Sequence, residues 1–281
     1  MKGVRELSIY LELGKSILYN IKRYAKFQIY KKCLPANPVH DNIYLVEFPK
    51  SGITWLSFLI ANIFIESEKE EVTFYNYHKY IIDVHQLRNH NIKDRVFNSC
   101  CSIFIKSHSM YNPYYYFVIY LIRNPFDVML SYYYFMLKQG LNMDFSDFVK
   151  HNKYGIRAWR RHVEGWLIKN KDLAQRIHLI KYEDLIDNTE IELTKILTNL
   201  GIKINKKYIL FAMENSSKEK MRLSENFYSK NSPTYYKSDL NFIRKGEKYQ
   251  KDEMITPEIR NYINKETENI LKEFYPDLLI S

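Results

Sequence analysis

The sequence predicts an α/β fold: a single domain with a mainly parallel, doubly wound central sheet and helices on both faces. Three observations lead there. Short apolar runs alternate with helical patterns along most of the chain. One run, Tyr116 to Ile122, is apolar nearly throughout, as a strand buried on both faces would be. The stretch Tyr44 to Trp55 reads as strand, tight loop and helix N-terminus in direct succession. With 281 residues, 46% of them apolar by type, the chain is long enough for one substantial core. It carries no internal repeat, low-complexity tract or linker.

Residues 1–40 are expected to form a helical, basic segment ahead of the main domain at 41–281. Leu7, Tyr10, Leu11, Leu13, Ile17 and Leu18 recur near helical spacing, and Ile21 to Lys26 is basic and aromatic. Such a stretch suits a surface helix packed on its own domain, or peripheral contact with an anionic membrane. Pro35 and Pro38 end it. The first strand is expected at Ile43 to Phe48. Trp55, Leu59 and Ile63 then share a helical face, with Leu56 and Ile60 beside them, so a helix runs from Ile53 to about Glu66. A charged loop and a mixed stretch follow, in which His78, His85 and His90 are spaced too irregularly for a metal site. The second strand, Ser102 to Lys106, ends in Ser107-His108. The third, Tyr116 to Ile122, runs into Arg123. The fourth is Ile177 to Tyr182. Thr189-Glu190-Ile191-Glu192 reads as a capping box that opens a helix to Leu200, with Gly201 as its stop.

Composition narrows the setting. The formal net charge is +10, which favours anionic partners. The chain is also rich in Lys, Asn, Ile and Tyr together, so the charge alone says little. Three cysteines, Cys33, Cys100 and Cys101, offer neither a disulfide framework nor zinc spacing. No apolar run reaches the length of a membrane span, and Glu6 and Glu12 interrupt any secretion signal. A cytoplasmic protein in a reducing compartment is expected.

The loop at 48–54 is built for an anion. N–H groups of a loop and of a first helical turn have no intrahelical acceptor, and the helix dipole adds partial positive charge. Gly52 lets backbone approach the anion, Lys50 supplies full charge, and Ser51 and Thr54 supply hydroxyl donors. An ordinary strand-to-helix turn that happens to hold a lysine is the plain alternative. The stretch is not the nucleotide loop G-x-x-x-x-G-K-[ST], because its lysine precedes its glycine. Gly14-Lys15-Ser16 fails that pattern too, since Ile9 stands at the first glycine. After the third strand, Asn124 suits an N-cap, Pro125 a first helical position and Asp127 the first turn. Arg123, at the strand end, can hold a phosphate with its planar guanidinium, or pair with a carboxylate.

The order Phe48-Pro-Lys-Ser-Gly-x-Thr-Trp55 resembles the 5′-phosphosulfate loop of the sulfotransferases that use 3′-phosphoadenosine 5′-phosphosulfate (PAPS). Arg123-Asn-Pro-x-Asp-Val-x-x-Ser131 is similar to that family's 3′-phosphate motif. Lys106-Ser107-His108 resembles its Lys-Thr-His segment, whose histidine is the catalytic base. Tyr182-Glu-Asp-Leu185 resembles a segment whose tyrosine contacts adenine. Ser216-Ser217-Lys218 to Met221 resembles a segment near the adenosine, and Tyr154-Gly155 to Trp166, with His162 between, a core-helix pattern. Arg244-Lys245-Gly246 is similar to a second clamp on the 3′-phosphate. The resemblance covers roughly residues 43–257. It departs at Ile53, where a threonine is usual and a backbone N–H can serve, and after Gly246, where Glu247 to Lys251 replaces Gly-Asp-Trp-Lys. The connector after His108 is also shorter than in the phenol and steroid enzymes.

The resemblance implies in-line transfer of a sulfuryl group from PAPS to an acceptor hydroxyl or amine, leaving adenosine 3′,5′-bisphosphate (PAP). His108 would take the acceptor proton. Lys50 would neutralise the leaving phosphate, with Lys106 assisting. Ser51, Gly52, Ile53 and Thr54 would cradle the phosphosulfate. Arg123, Ser131, Arg244, Lys245 and Gly246 would hold the 3′-phosphate, and Trp55 and Tyr182 would flank adenine with Ser217 nearby. No metal and no nucleic-acid partner is implied. The acceptor (carbohydrate, lipid-linked glycan, phenol or small alcohol) stays open, and Tyr111, Tyr114, Tyr115 and Tyr116 are candidates to line its pocket or to pack in the core. Two other readings remain: a nucleotide or small-molecule kinase on a P-loop-like fold, and a non-enzymatic basic protein that binds membrane or nucleic acid.

Overall fold

The structure, a computed structural model, describes residues 42–65, 70–83, 104–113, 115–170, 176–231 and 252–279. The segment at 1–40, the three cysteines, His85, His90, Tyr114 and Arg244-Lys245-Gly246 lie outside the described residues.

Among the described residues, five strands form one sheet: β1 (Ile43–Glu47), β2 (Ile81–Asp83), β3 (Phe104–Ser107), β4 (Phe117–Ile122) and β5 (Arg176–Lys181). They lie in the order β2-β3-β1-β4-β5, and every pairing is parallel. The expected parallel α/β architecture is present. The expected strands are found within two residues of their predicted ends. β2 is the strand that sequence pattern did not assign, because Ile81-Ile82-Asp83 is too short a run to stand out of a mixed stretch. β1 sits in the middle, pairing Leu45 with Lys106 on one side and with Ile119 on the other. From β1 the chain goes first to the sheet edge at β2, returns to β3 beside β1, and then crosses to β4 and β5 on the other side. That reversal of strand order opens a crevice at the carboxyl ends of β1, β3 and β4.

Nine helices, among the described residues, cover the sheet: α1 (Ile53–Ile63), α2 (Pro125–Lys138), α3 (Phe145–Lys150), α4 (Ile156–Val163), α5 (Tyr182–Asp187), α6 (Thr189–Asn199), α7 (Lys206–Asn215), α8 (Lys218–Asn231) and α9 (Pro257–Phe274). Alternation along the strands divides the core in two. Ile43, Leu45, Ile119 and Leu121 pack with α1, α5, α6 and α7. Tyr44, Val46, Val118, Tyr120 and Ile122 pack on the opposite face with α2, α3, α4 and α9.

Caps fix where the site helices begin. Asn124 accepts from the Asp127 N–H at 2.9 Å and Pro125 follows, as its sequence predicts. Gly201 stops α6 with φ 70°. The capping box at Thr189 does not form. Asn188 takes the cap position, and the Thr189 hydroxyl donates back to the Leu185 carbonyl at 2.7 Å, because α5 ends immediately before and offers an orphan acceptor. Glu192 instead pairs with Lys195.

Candidate active site

The loop between β1 and α1 folds on its own polar groups. The Ser51 N–H and hydroxyl both donate to the Phe48 carbonyl, at 3.2 and 2.9 Å. Lys50 has φ 77° and Gly52 φ 117°. The sequence points to Gly52 for this conformation. Lys50 shares it, at a cost of about 1–2 kcal/mol for an L-residue. Gly52 is required by space as well, since a Cβ there would lie 2.5 Å from Cδ2 of Tyr182. The Lys50 ammonium lies 4.8 Å from the centroid of the Phe135 ring. Desolvation pulls its pKa down to about 7, with Glu47 opposing, although part of the residue reaches solvent. Thr54 lies in the first turn of α1.

Arg123 continues β4 and reaches across to this loop. Its Nη1 donates to the Lys50 carbonyl at 3.4 Å, its Nη2 to Asp127 at 3.3 Å, and its guanidinium lies 4.2 Å from the centroid of the Tyr182 ring. Arg123 is thus paired with a carboxylate, the plainer of its two readings, and it also reaches the loop between β1 and α1. Tyr182 is only 6% exposed, so little of its ring remains for a base. Trp55 keeps more surface, meets Tyr182 edge-on at 6.1 Å, and donates its indole N–H to the Ser216 carbonyl at 3.1 Å. That bond draws the Ser216-Ser217 turn to the loop. Ser217 caps α8 by accepting from the Lys220 N–H at 3.4 Å. Ser131 lies on α2, partly exposed.

β3 delivers Lys106 and His108. Lys106 is buried, with its ammonium 3.0 Å from Asp83 at the end of β2. Burial alone would lower its pKa, but Tyr77, Asp83 and Glu47 together raise it. His108 stands at the tip of the strand with its side chain 21% exposed. Its Nδ1 lies 3.3 Å from the Glu47 carbonyl and 3.8 Å from the Glu47 carboxylate. A carbonyl only accepts, so Nδ1 carries the proton and Nε2 carries the lone pair. Behind it, the Trp166 indole donates to the Ser109 carbonyl at 3.0 Å, and buried His162 meets the Tyr120 hydroxyl at 2.8 Å. The Gly155-to-Trp166 pattern thus packs, as expected, and also steadies the strand tip. Tyr115 stacks on Tyr44 at 3.7 Å and Tyr111 meets Trp166, so these two tyrosines belong to the packing.

The structure therefore brings Lys50, Ser51, Gly52, Ile53, Arg123, Trp55, Tyr182 and His108 into one neighbourhood. Four carboxylates complete it, of which Glu47 and Asp83 lie outside the motifs read from the sequence. Glu47 accepts from the Ile53 N–H at 2.7 Å. Asp83 pairs with Lys106, and Asp127 with Arg123. Glu183 accepts from the Asn124 N–H and side chain on one oxygen and from the Tyr275 hydroxyl on the other. Glu47 was legible as a charged residue in an otherwise apolar strand. Asp83 gave no signal, because its strand was not visible.

Comparison with known proteins identifies the family and the fold. The profile of the sulfotransferase domain matches residues 40–275. Sulfotransferase 1E1 of Bos taurus is 30% identical over 200 residues, covering 65% of this chain and 66% of its own length. The 3-alpha-hydroxysteroid sulfotransferase of Cavia porcellus is 25% identical over 191 residues, covering 64% and 66%. The chain thus spans about two thirds of the length of these relatives. Among solved structures, mouse sulfotransferase SULT7A1 complexed with PAP aligns with TM-score 0.57 at 21% identity, over 84% of this chain and 85% of that one. Retinol dehydratase in complex with retinol and PAP aligns with TM-score 0.65 at 17% identity, over 85% and 82%. The two structural likenesses concern the fold.

Proposed function

The chain belongs to the sulfotransferase family of PAPS-dependent enzymes, and on that premise we propose that it moves a sulfuryl group from PAPS to an acceptor hydroxyl or amine, with His108 as general base. One observation carries the reading. Arg123 at the tip of β4 reaches the loop after β1 at Lys50, and His108 at the tip of β3 reaches the end of β1 at Glu47. Neither the kinase reading nor the non-enzymatic one gains support from family membership.

Bound PAPS would supply the sulfur electrophile and the leaving phosphate. The chain supplies the rest. Lys50 is proposed to neutralise charge on the leaving phosphate, the usual largest contribution in such transfers. Ser51, Gly52, Ile53 and Thr54 form the cradle. Arg123 and Ser131, with Arg244, Lys245 and Gly246, are proposed to hold the 3′-phosphate. Trp55 offers the larger free surface to adenine, beside Tyr182 and Ser217. The His108 tautomer described above leaves Nε2 to receive the acceptor proton. Lys106, pinned by Asp83, adds a fixed positive charge beside this path.

The test is incubation with sulfur-labelled PAPS and a panel of acceptors. Steroid and retinoid alcohols belong in the panel because relatives' names include them, alongside phenols and carbohydrates. Label transfer to one class is expected. Failure of every acceptor together with failure to bind PAP would end the reading.

A further inference from the structure

Glu47 occupies a place that an anion-binding cradle would not be expected to give a carboxylate. It lies at the end of β1, 2% exposed, one residue before the loop turns. Its Oε2 accepts from the Ile53 N–H at 2.7 Å. That N–H opens α1 and is the one an anion at the helix N-terminus would claim first. The other oxygen faces His108 Nδ1 at 3.8 Å. Among the described residues, the charged or titratable groups around it are those of the proposed site together with the core hydroxyl of Tyr120. Lys50 comes from the loop, Lys106 and His108 from β3, Tyr120 from β4 and Tyr182 from α5.

From this geometry we infer that Glu47 is a donor-binding residue of an unusual kind: an internal anion that holds the Ile53 N–H until the donor's 5′-phosphate group takes it over, and that accepts a proton when it does. The inference rests on the proposed donor site. Two negative groups cannot share one N–H and one pair of lysines in a buried space without a large electrostatic penalty. Moving the carboxylate into solvent would mean rebuilding the turn, because the residue is enclosed by the loop it supports. Protonation is the less costly way to remove its charge. Burial already raises the Glu47 pKa to about 7, so the proton is available near neutrality. The step balances simply. One proton passes from buffer to a carboxylate oxygen of Glu47, the N–H···O bond from Ile53 passes to the phosphate, and no other bond changes.

The consequence is a donor affinity linked to pH by this residue. Above its pKa, binding to the wild-type chain should weaken by up to about tenfold per pH unit, the limit for uptake of one proton. Glu47→Gln keeps an oxygen for the Ile53 N–H and removes the charge. The probe is PAP, which presents the 5′-phosphate without a reactive sulfate. Calorimetry at pH 8 in two buffers of different ionisation enthalpy should report uptake of close to one proton by the wild-type chain. Glu47→Gln should bind PAP more tightly at that pH and take up far less. Because His108 also titrates, the proton is assigned by infrared difference spectroscopy. PAP should raise the carbonyl band of a protonated carboxylic acid, and the band should be missing in Glu47→Gln. That spectrum of the wild-type chain decides the matter even if the variant does not fold. PAP binding with no proton uptake and no acid band overturns the role of Glu47 and leaves the donor site standing. No PAP binding at all overturns both.

Discussion

Gly52→Ala is the sharpest probe of the loop, because the structure gives two separate costs. The first is conformational: φ 117° is a region that an L-residue adopts at a cost of about 1–3 kcal/mol. The second is steric. The new methyl would sit 2.5 and 2.6 Å from two carbons of the Tyr182 ring and 3.4 Å from a Leu121 methyl. The ring is buried and held by Arg123 on its face, so it cannot simply turn away. Overpacking of that kind adds about 1–3 kcal/mol. The expected loss is therefore about 2–6 kcal/mol, read as a drop in the urea midpoint. The two costs separate in a double-mutant cycle. In a Tyr182→Ala background the steric cost disappears, and Gly52→Ala should cost only the conformational share. If the penalty were the same in both backgrounds to within about 0.5 kcal/mol, the packing of Tyr182 on the loop would be refuted.

Three further outcomes follow from the same geometry. His108→Ala should remove most turnover while leaving the PAP dissociation constant nearly unchanged by calorimetry; a large loss of PAP affinity would contradict its assignment as base. Asp83→Asn strips the counter-charge from buried Lys106 and should destabilise the fold by about 3–5 kcal/mol in urea titration, with much of that recovered by adding Lys106→Met; a loss under about 1 kcal/mol would show that the pair is solvated. Burial lowers the His162 pKa from 6.5 to about 4, chiefly by desolvation. A base whose folded pKa is depressed stabilises the fold while neutral and loses that contribution as pH falls from 6.5 towards 4, here about 3 kcal/mol at about 1.4 kcal/mol per unit. Glu47, raised by burial, acts in the opposite direction over the same range, so the readout is the difference in stability between wild type and His162→Gln. That difference should shrink on acidification, and a constant difference would dismiss the buried neutral imidazole.

The fold was legible where one physical signal dominated. Tyr116 to Ile122 is apolar on both faces because it lies inside the sheet, and Asn124-Pro125 announces a helix start through the cap it forms. The tight turn between β1 and α1 was legible for the same reason: Gly52 serves backbone chemistry that few side chains can perform. The carboxylates were less so. Asp83 sits on a three-residue strand with no period to read, and its importance comes from Lys106, 23 positions later. Glu183, on α5, bonds both Asn124 at the start of α2 and the C-terminal Tyr275, a role that exists only once the chain has folded. The capping box failed because the preceding helix competed for Thr189. The C-terminal helix did carry a start signal, Thr256-Pro257-Glu258, and Thr256 does cap it.

The strand order has a kinetic meaning too. β1 is completed by partners about 60 and 75 residues downstream, and Trp55 bonds to a carbonyl 161 positions away. Contacts of such long range close late, after the cost of ordering long loops has been met. Competence to bind PAP should thus appear only in the final phase of refolding, and the nucleotide would report on completion of the whole sheet.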